Sequence, residues 1–62
     1  MTRSERLLKL VQLLRRQRLA ISAAQLADTL GISMRTVYRD IDALRAQGAR
    51  IEGESGVGYV LR

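Results

Sequence analysis

Between Ser33 and Arg39 the chain sets out Ser-Met-Arg-Thr-Val-Tyr-Arg, a run rich in groups that donate hydrogen bonds to anions and base edges. An arginine can donate two parallel hydrogen bonds to guanine O6 and N7, and a threonine methyl can meet the methyl group of thymine. A serine at a helix start offers its hydroxyl, and the free backbone N–H groups beside it, to phosphate. Such groups are useful only on the outside of a rigid element. Read as a helix, the segment turns Val37, Ile41 and Leu44 inward at i, i+4, i+7. Arg35, Arg39 and Asp42 then lie along one exposed row and Tyr38 with Arg45 along another. Arg35, Thr36 and Tyr38 are the candidates for base or sugar contacts, Arg39 for phosphate, and Ser22 and Ser33 for phosphate at helix N-termini. The same residues have plainer uses. Arg35 and Arg39 could pair with Asp40 or Asp42, Tyr38 could lie on the helix pair, and Thr36 could only support a cap. Arg45 reads as a solvated or ion-paired residue.

Composition narrows the chemistry. The chain has 62 residues, no Cys and no His, which removes disulfides, thiolate metal sites and the usual general base. No metal site, cofactor or catalytic centre is expected. Two tyrosines are the only aromatics, too few for a base-stacking platform on single strands. Eleven basic residues against six acidic ones give a net charge of +5, which favours a polyanionic partner. No apolar run approaches the roughly 20 residues of a membrane span, and Lys9, Gln12, Arg15 and Arg16 interrupt the N-terminal leucines. The expectation is a cytoplasmic protein.

The elements that would position these residues follow in order. Thr2 and Glu5 match a capping box at the start of a first helix. Leu7, Leu10, Val11 and Leu14 form its inner face, with Arg6, Lys9, Gln12 and Arg16 opposite. Leu8 and Leu13 widen the apolar arc, either as a fuller core or as a contact for a partner. Leu19-Ala20-Ile21 has room for one brief strand. Ser22 and Gln25 form a second capping box, with Ile21 and Leu26 as a staple across it. Ala23, Leu26, Ala27 and Leu30 make one face of a second helix, which Gly31 ends in the left-handed conformation. Ser33 caps the third helix, and Gly48 ends it. Small Ala27 allows the two helices to approach closely. The period then changes. Ile51, a Gly-rich turn, and the alternating run Tyr59-Val60-Leu61 predict a hairpin whose Tyr59 and Leu61 face the helices with Ile51.

The fold class expected is therefore mainly α with a small β-hairpin. It is a winged helix-turn-helix of three helices, a short strand after the first helix, and a C-terminal two-stranded wing. One domain covers 1–62, with the helix-turn-helix at about 22–47 and the wing at about 50–62. Glu52 and Glu54 near the wing tip oppose phosphate, while Arg50 and Arg62 flank the hairpin. A minor-groove arm generally relies on Arg or Lys. Backbone N–H groups at Gly53, Gly56 and Gly58 are the other donors the wing could use.

The run Ile32-Ser33-Met34-Arg35-Thr36-Val37-Tyr38-Arg39-Asp40-Ile41-Asp42-Ala43-Leu44, with Gly48 and the Gly-Tyr-Val-Leu strand, resembles the DeoR-type winged helix-turn-helix. It is especially similar to bacterial transcription regulators that carry a C-terminal WYL domain. The resemblance implies that Arg35 to Asp40 is the DNA-reading segment. It also implies an effector-sensing domain after Arg62 and a homodimer formed through that missing region. Tyr38 stands where DeoR proteins proper tend to have Arg, and the acidic wing tip departs from more basic relatives. The function expected is sequence-specific binding of double-stranded DNA in transcription regulation. The other reading is a winged helix used as a protein-interaction module.

Overall fold

A computed structural model describes all 62 residues, Met1–Arg62. Three helices, α1 (Arg3–Arg16), α2 (Ala23–Leu30) and α3 (Met34–Ala46), are followed by strands β1 (Ile51–Glu54) and β2 (Gly58–Leu61). The winged helix-turn-helix expected from the sequence is the architecture found.

Helix ends follow the local chemistry with one difference. At α2, the Ser22 hydroxyl accepts from the Gln25 N–H (3.1 Å) and Gln25 Oε1 accepts from the Ser22 N–H (3.1 Å), a complete capping box. At α1 the box is one-sided. The Thr2 hydroxyl accepts from the Glu5 N–H, but Glu5 Oε1 takes the Thr2 hydroxyl proton rather than its backbone N–H. The hydroxyl gives the carboxylate a donor without the backbone turn that the reciprocal bond requires.

Gly31 (φ +68°) and Gly48 (φ +101°) end α2 and α3 in the same way. Ile32 N–H reaches Ala27 O and Gly31 N–H reaches Asp28 O; Ala49 N–H and Gly48 N–H repeat the pattern on Leu44 O and Arg45 O. This double bond pattern satisfies carbonyls that a helix end otherwise leaves open.

The core is one cluster drawn from every element: Leu10, Leu14, Ala23, Leu26, Ala27, Val37, Ile41, Leu44, Ile51 and Tyr59. The inner faces expected for the helices are the ones turned to the core, with Leu7, Val11 and Leu30 only half-buried. Of the two extra leucines on α1, Leu13 packs against the core and Leu8 stays 59% exposed. The wider apolar arc is thus partly core.

β1 and β2 pair antiparallel, with Ile51 opposite Leu61 and Gly53 opposite Tyr59. Ile51 and Tyr59 are buried and Leu61 packs against the core, as alternation predicts. The brief strand after α1 is a single bridge. Ile21 and Tyr59 exchange two backbone hydrogen bonds, of 2.9 and 2.8 Å, which tie the α1–α2 connection to the outer edge of β2.

Tyr59 is therefore locked on both backbone and ring. Burial pushes its hydroxyl above the ordinary pKa of 10.0; Tyr38, Asp42 and Glu54 add to the shift and Arg45 opposes it. The folded chain then holds this proton where the unfolded chain has lost it. The contribution of Tyr59 to stability is present below pH 10.0 and is lost as pH rises from there through the folded pKa. In a Tyr38→Phe chain, phenolate absorbance should titrate with a midpoint above 10.0 and the melting temperature should fall over the same alkaline range. A midpoint at the ordinary value would contradict the burial argument.

Candidate nucleic-acid interface

Successive residues of an α-helix are turned by about 100°, so α3 divides into four faces. Val37, Ile41 and Leu44 are buried. Arg35, Arg39 and Asp42 are exposed on the opposite face. Thr36 and Asp40 lie on the flank toward α1, and Tyr38 and Arg45 on the flank toward the wing.

The exposed face is free. The chain has two salt bridges, Arg6–Asp40 and Arg62–Glu52, and neither involves Arg35 or Arg39. The pairing of these arginines with Asp40 or Asp42, left open by the sequence, does not occur. Asp40 is occupied elsewhere, and Asp42 makes no ion pair. Both guanidinium groups are available to an external acceptor, in the N-terminal half of the helix that reaches base edges when such a helix enters a groove.

The hydroxyls are more committed. Ser33 Oγ accepts from the Thr36 N–H (3.1 Å) and shares a proton with Thr36 Oγ1 (3.0 Å). Thr36 thus supports the cap and also lies beside the exposed row. Ser22 Oγ contacts Gln25 Oε1 at 3.3 Å as well as accepting from its N–H. What both caps still offer is the first-turn N–H groups with no partner inside the helix. Ser22 lies at the far end of α2 from the turn, roughly 12 Å along the helix axis. Tyr38 is half-buried against the core. Its ring serves the fold, and its outer part borders the exposed row.

Two arginines make bonds that the sequence does not announce. Arg6 reads from the sequence as outward-facing, yet it forms a two-pronged pair with Asp40. Nε donates to Oδ2 at 2.5 Å and Nη2 donates to Oδ1 at 2.9 Å. The Arg6 side chain is 21% exposed and that of Asp40 only 4%. The hydrogen bond to Asp40 holds the Arg6 guanidinium above its ordinary range, and desolvation opposes it. A signal for this pair was available. Arg6 sits one turn before Leu10 on the inner side of α1, and Asp40 sits between Val37 and Leu44 on the inner side of α3.

Arg45 is exposed, as expected, but instead of an ion pair it makes backbone contacts. Its Nε donates to Ile51 O (2.9 Å) and its Nη2 to Gly53 O (3.1 Å), and its guanidinium lies 5.8 Å from the centre of the Tyr59 ring. The branched donor set of arginine suits this double use, which fastens β1 to the end of α3.

The wing itself is poor in free cations. Arg62 Nε donates to Glu52 Oε1 at 2.8 Å, both side chains being well exposed. Such a pair adds little stability, but it neutralises one of the two arginines that flank the hairpin. Arg50, the other, is exposed and makes no ion pair.

No side chains are grouped as metal ligands. No helix is long and apolar enough to cross a membrane. No protein of curated function matches the chain. Residues 6–60 match the family model described as an HTH domain, and the chain belongs to this helix-turn-helix family of DNA-binding domains.

Proposed function

We propose that the chain reads double-stranded DNA sequence-specifically as the DNA-binding module of a bacterial transcription regulator. The observation that carries this reading is the row of Arg35 and Arg39, exposed and free of ion pairs on the outer face of α3. Arg35 and Thr36 are assigned to base edges, the outer part of Tyr38 to a base or its sugar, and Arg39 to phosphate. The N-terminal N–H groups beside Ser22 and Ser33 are assigned to flanking phosphates. The resemblance of 32–44 to DeoR-type regulators, those with a WYL domain in particular, supports a cytoplasmic homodimer whose effector-sensing domain lies after Arg62.

The protein-interaction reading has less to stand on. Leu8 is exposed, but its neighbour Leu13 is packed on the core, so α1 presents no broad apolar patch.

Fluorescence anisotropy with labelled duplex DNA tests the proposal. Each phosphate contact contributes about −0.9 to the slope of log affinity against log salt. Three or more contacts predict a loss of more than about tenfold between about 50 and 200 mM salt. Absence of binding, or binding indifferent to salt, would overturn it.

A further inference from the structure

Arg3, Arg6, Thr36, Arg39 and Asp40 line an open cleft where the start of α1 meets α3. It contains no apolar residue and brings three guanidinium groups against one carboxylate. The carboxylate does not present its charge to the cleft. Asp40 is 3% exposed and both its oxygens accept from Arg6. The same pairing fixes the Arg6 guanidinium by one edge. Its Nη1 donors and the second Nη2 hydrogen bond to no protein group. Arg3 and Arg39 are exposed and make no ion pair. Thr36 adds a hydroxyl whose partner is Ser33.

We propose that this cleft is a clamp for one backbone phosphate of bound DNA, with Arg3, Arg6 and Arg39 as its donors. Asp40 is the positioning residue that holds Arg6 ready. The proposal rests on the DNA-binding reading above and extends the contact surface from α3 onto α1. A planar guanidinium already held on one edge loses little freedom when its other edge binds an oxyanion. The clamp has a consequence opposite to simple charge counting. Removing the negative charge of Asp40 weakens DNA binding, because it releases Arg6.

The test uses a duplex selected from a random pool by the unaltered chain, with each phosphate replaced in turn by an uncharged methylphosphonate. One phosphate should lose about tenfold in affinity when neutralised, the scale of a charge-assisted contact. In Arg3→Gln the same phosphate should lose much less, and the salt slope should be shallower by about 0.9. Arg3 makes no side-chain bond within the chain, so this variant keeps the fold. Asp40→Asn should bind more weakly than the unaltered chain and show a reduced penalty at the same phosphate. Should Asp40→Asn lose helix content in circular dichroism, Arg3→Gln decides alone. Equal penalties at every phosphate in Arg3→Gln and the unaltered chain would overturn the clamp, as would tighter binding by folded Asp40→Asn. If the unaltered chain bound no duplex, the DNA reading itself would fail and the clamp with it. If Arg35→Ala weakened binding and Arg3→Gln changed nothing, the clamp alone would fail.

Discussion

Arg35→Ala should lower affinity for the preferred duplex by about 5- to 150-fold and relax discrimination at one base pair, the loss of about 1–3 kcal/mol expected for a two-pronged base contact. The size follows from the position of the residue. Arg35 stands in the first turn of α3, exposed and without an ion pair, so nothing inside the chain competes for its donors. Its removal leaves the packing of Val37, Ile41 and Leu44 untouched, and the melting temperature should hardly move. Arg39→Ala gives the contrast. A phosphate contact carries no sequence information, so its loss should weaken binding to all duplexes alike and make the salt slope shallower by about 0.9. Anisotropy titrations against a set of single-base variants of the duplex separate the two. Uniform loss from Arg35→Ala would move that residue from base reading to phosphate contact.

The second large effect concerns Gly53, inside the first strand of the wing. A Cβ added at Gly53 would fall 1.9 Å from the carbonyl oxygen of Gly58 and 2.9 Å from its carbon, at a φ of +119° that side chains seldom adopt. The obstructing atoms are backbone of the paired strand, so β1 and β2 must part to admit it. Parting them disturbs Tyr59, paired opposite Gly53, and moves the Gly53 carbonyl that Arg45 holds. The stability of a domain of this size is about 3–9 kcal/mol. Gly53→Ala should remove on the order of 3 kcal/mol, lowering the melting temperature by about 12 °C or more. Gly56→Ala is the control. A Cβ there meets nothing within 4 Å, so only the cost of its φ of +90° remains, about 1 kcal/mol. Equal melting temperatures for the two variants would show that the contact at Gly53 relaxes cheaply.

Much of the fold was legible because local signals agreed with one another. Ser22 and Gln25, Gly31, and Ser33 with Thr36 each act within a few residues, and each does in the structure what its type and spacing suggest. The alternation of Tyr59 and Leu61 likewise set the buried face of the wing. Long-range polar pairing was not legible in the same way. Arg6 and Asp40 are 34 residues apart, and Arg45 finds backbone carbonyls that no side-chain pattern announces. A charge on an inward stripe looks like a misfit until its partner's stripe is superposed on it. The exposed row of α3 was readable because an inward stripe determines what faces out. The cleft with Arg3 was not, since it depends on where the start of α1 crosses α3.

The wing illustrates how structure reassigns cations. Arg45 reads as solvated or ion-paired and Arg62 as a flank of the hairpin, but one fastens β1 and the other pairs with Glu52. Arg3, Arg35 and Arg39, around the outer face of α3 and the start of α1, keep their guanidinium groups free of such partners.

The central claim, that the outer row of α3 reads DNA sequence, is tested most directly by selecting duplexes from a random pool with the unaltered chain and with Arg35→Ala in parallel. The account predicts an enriched motif for the unaltered chain and a motif degenerate at one base pair for the variant. Recovery of the same motif by both, or enrichment of no motif by the unaltered chain, would contradict it.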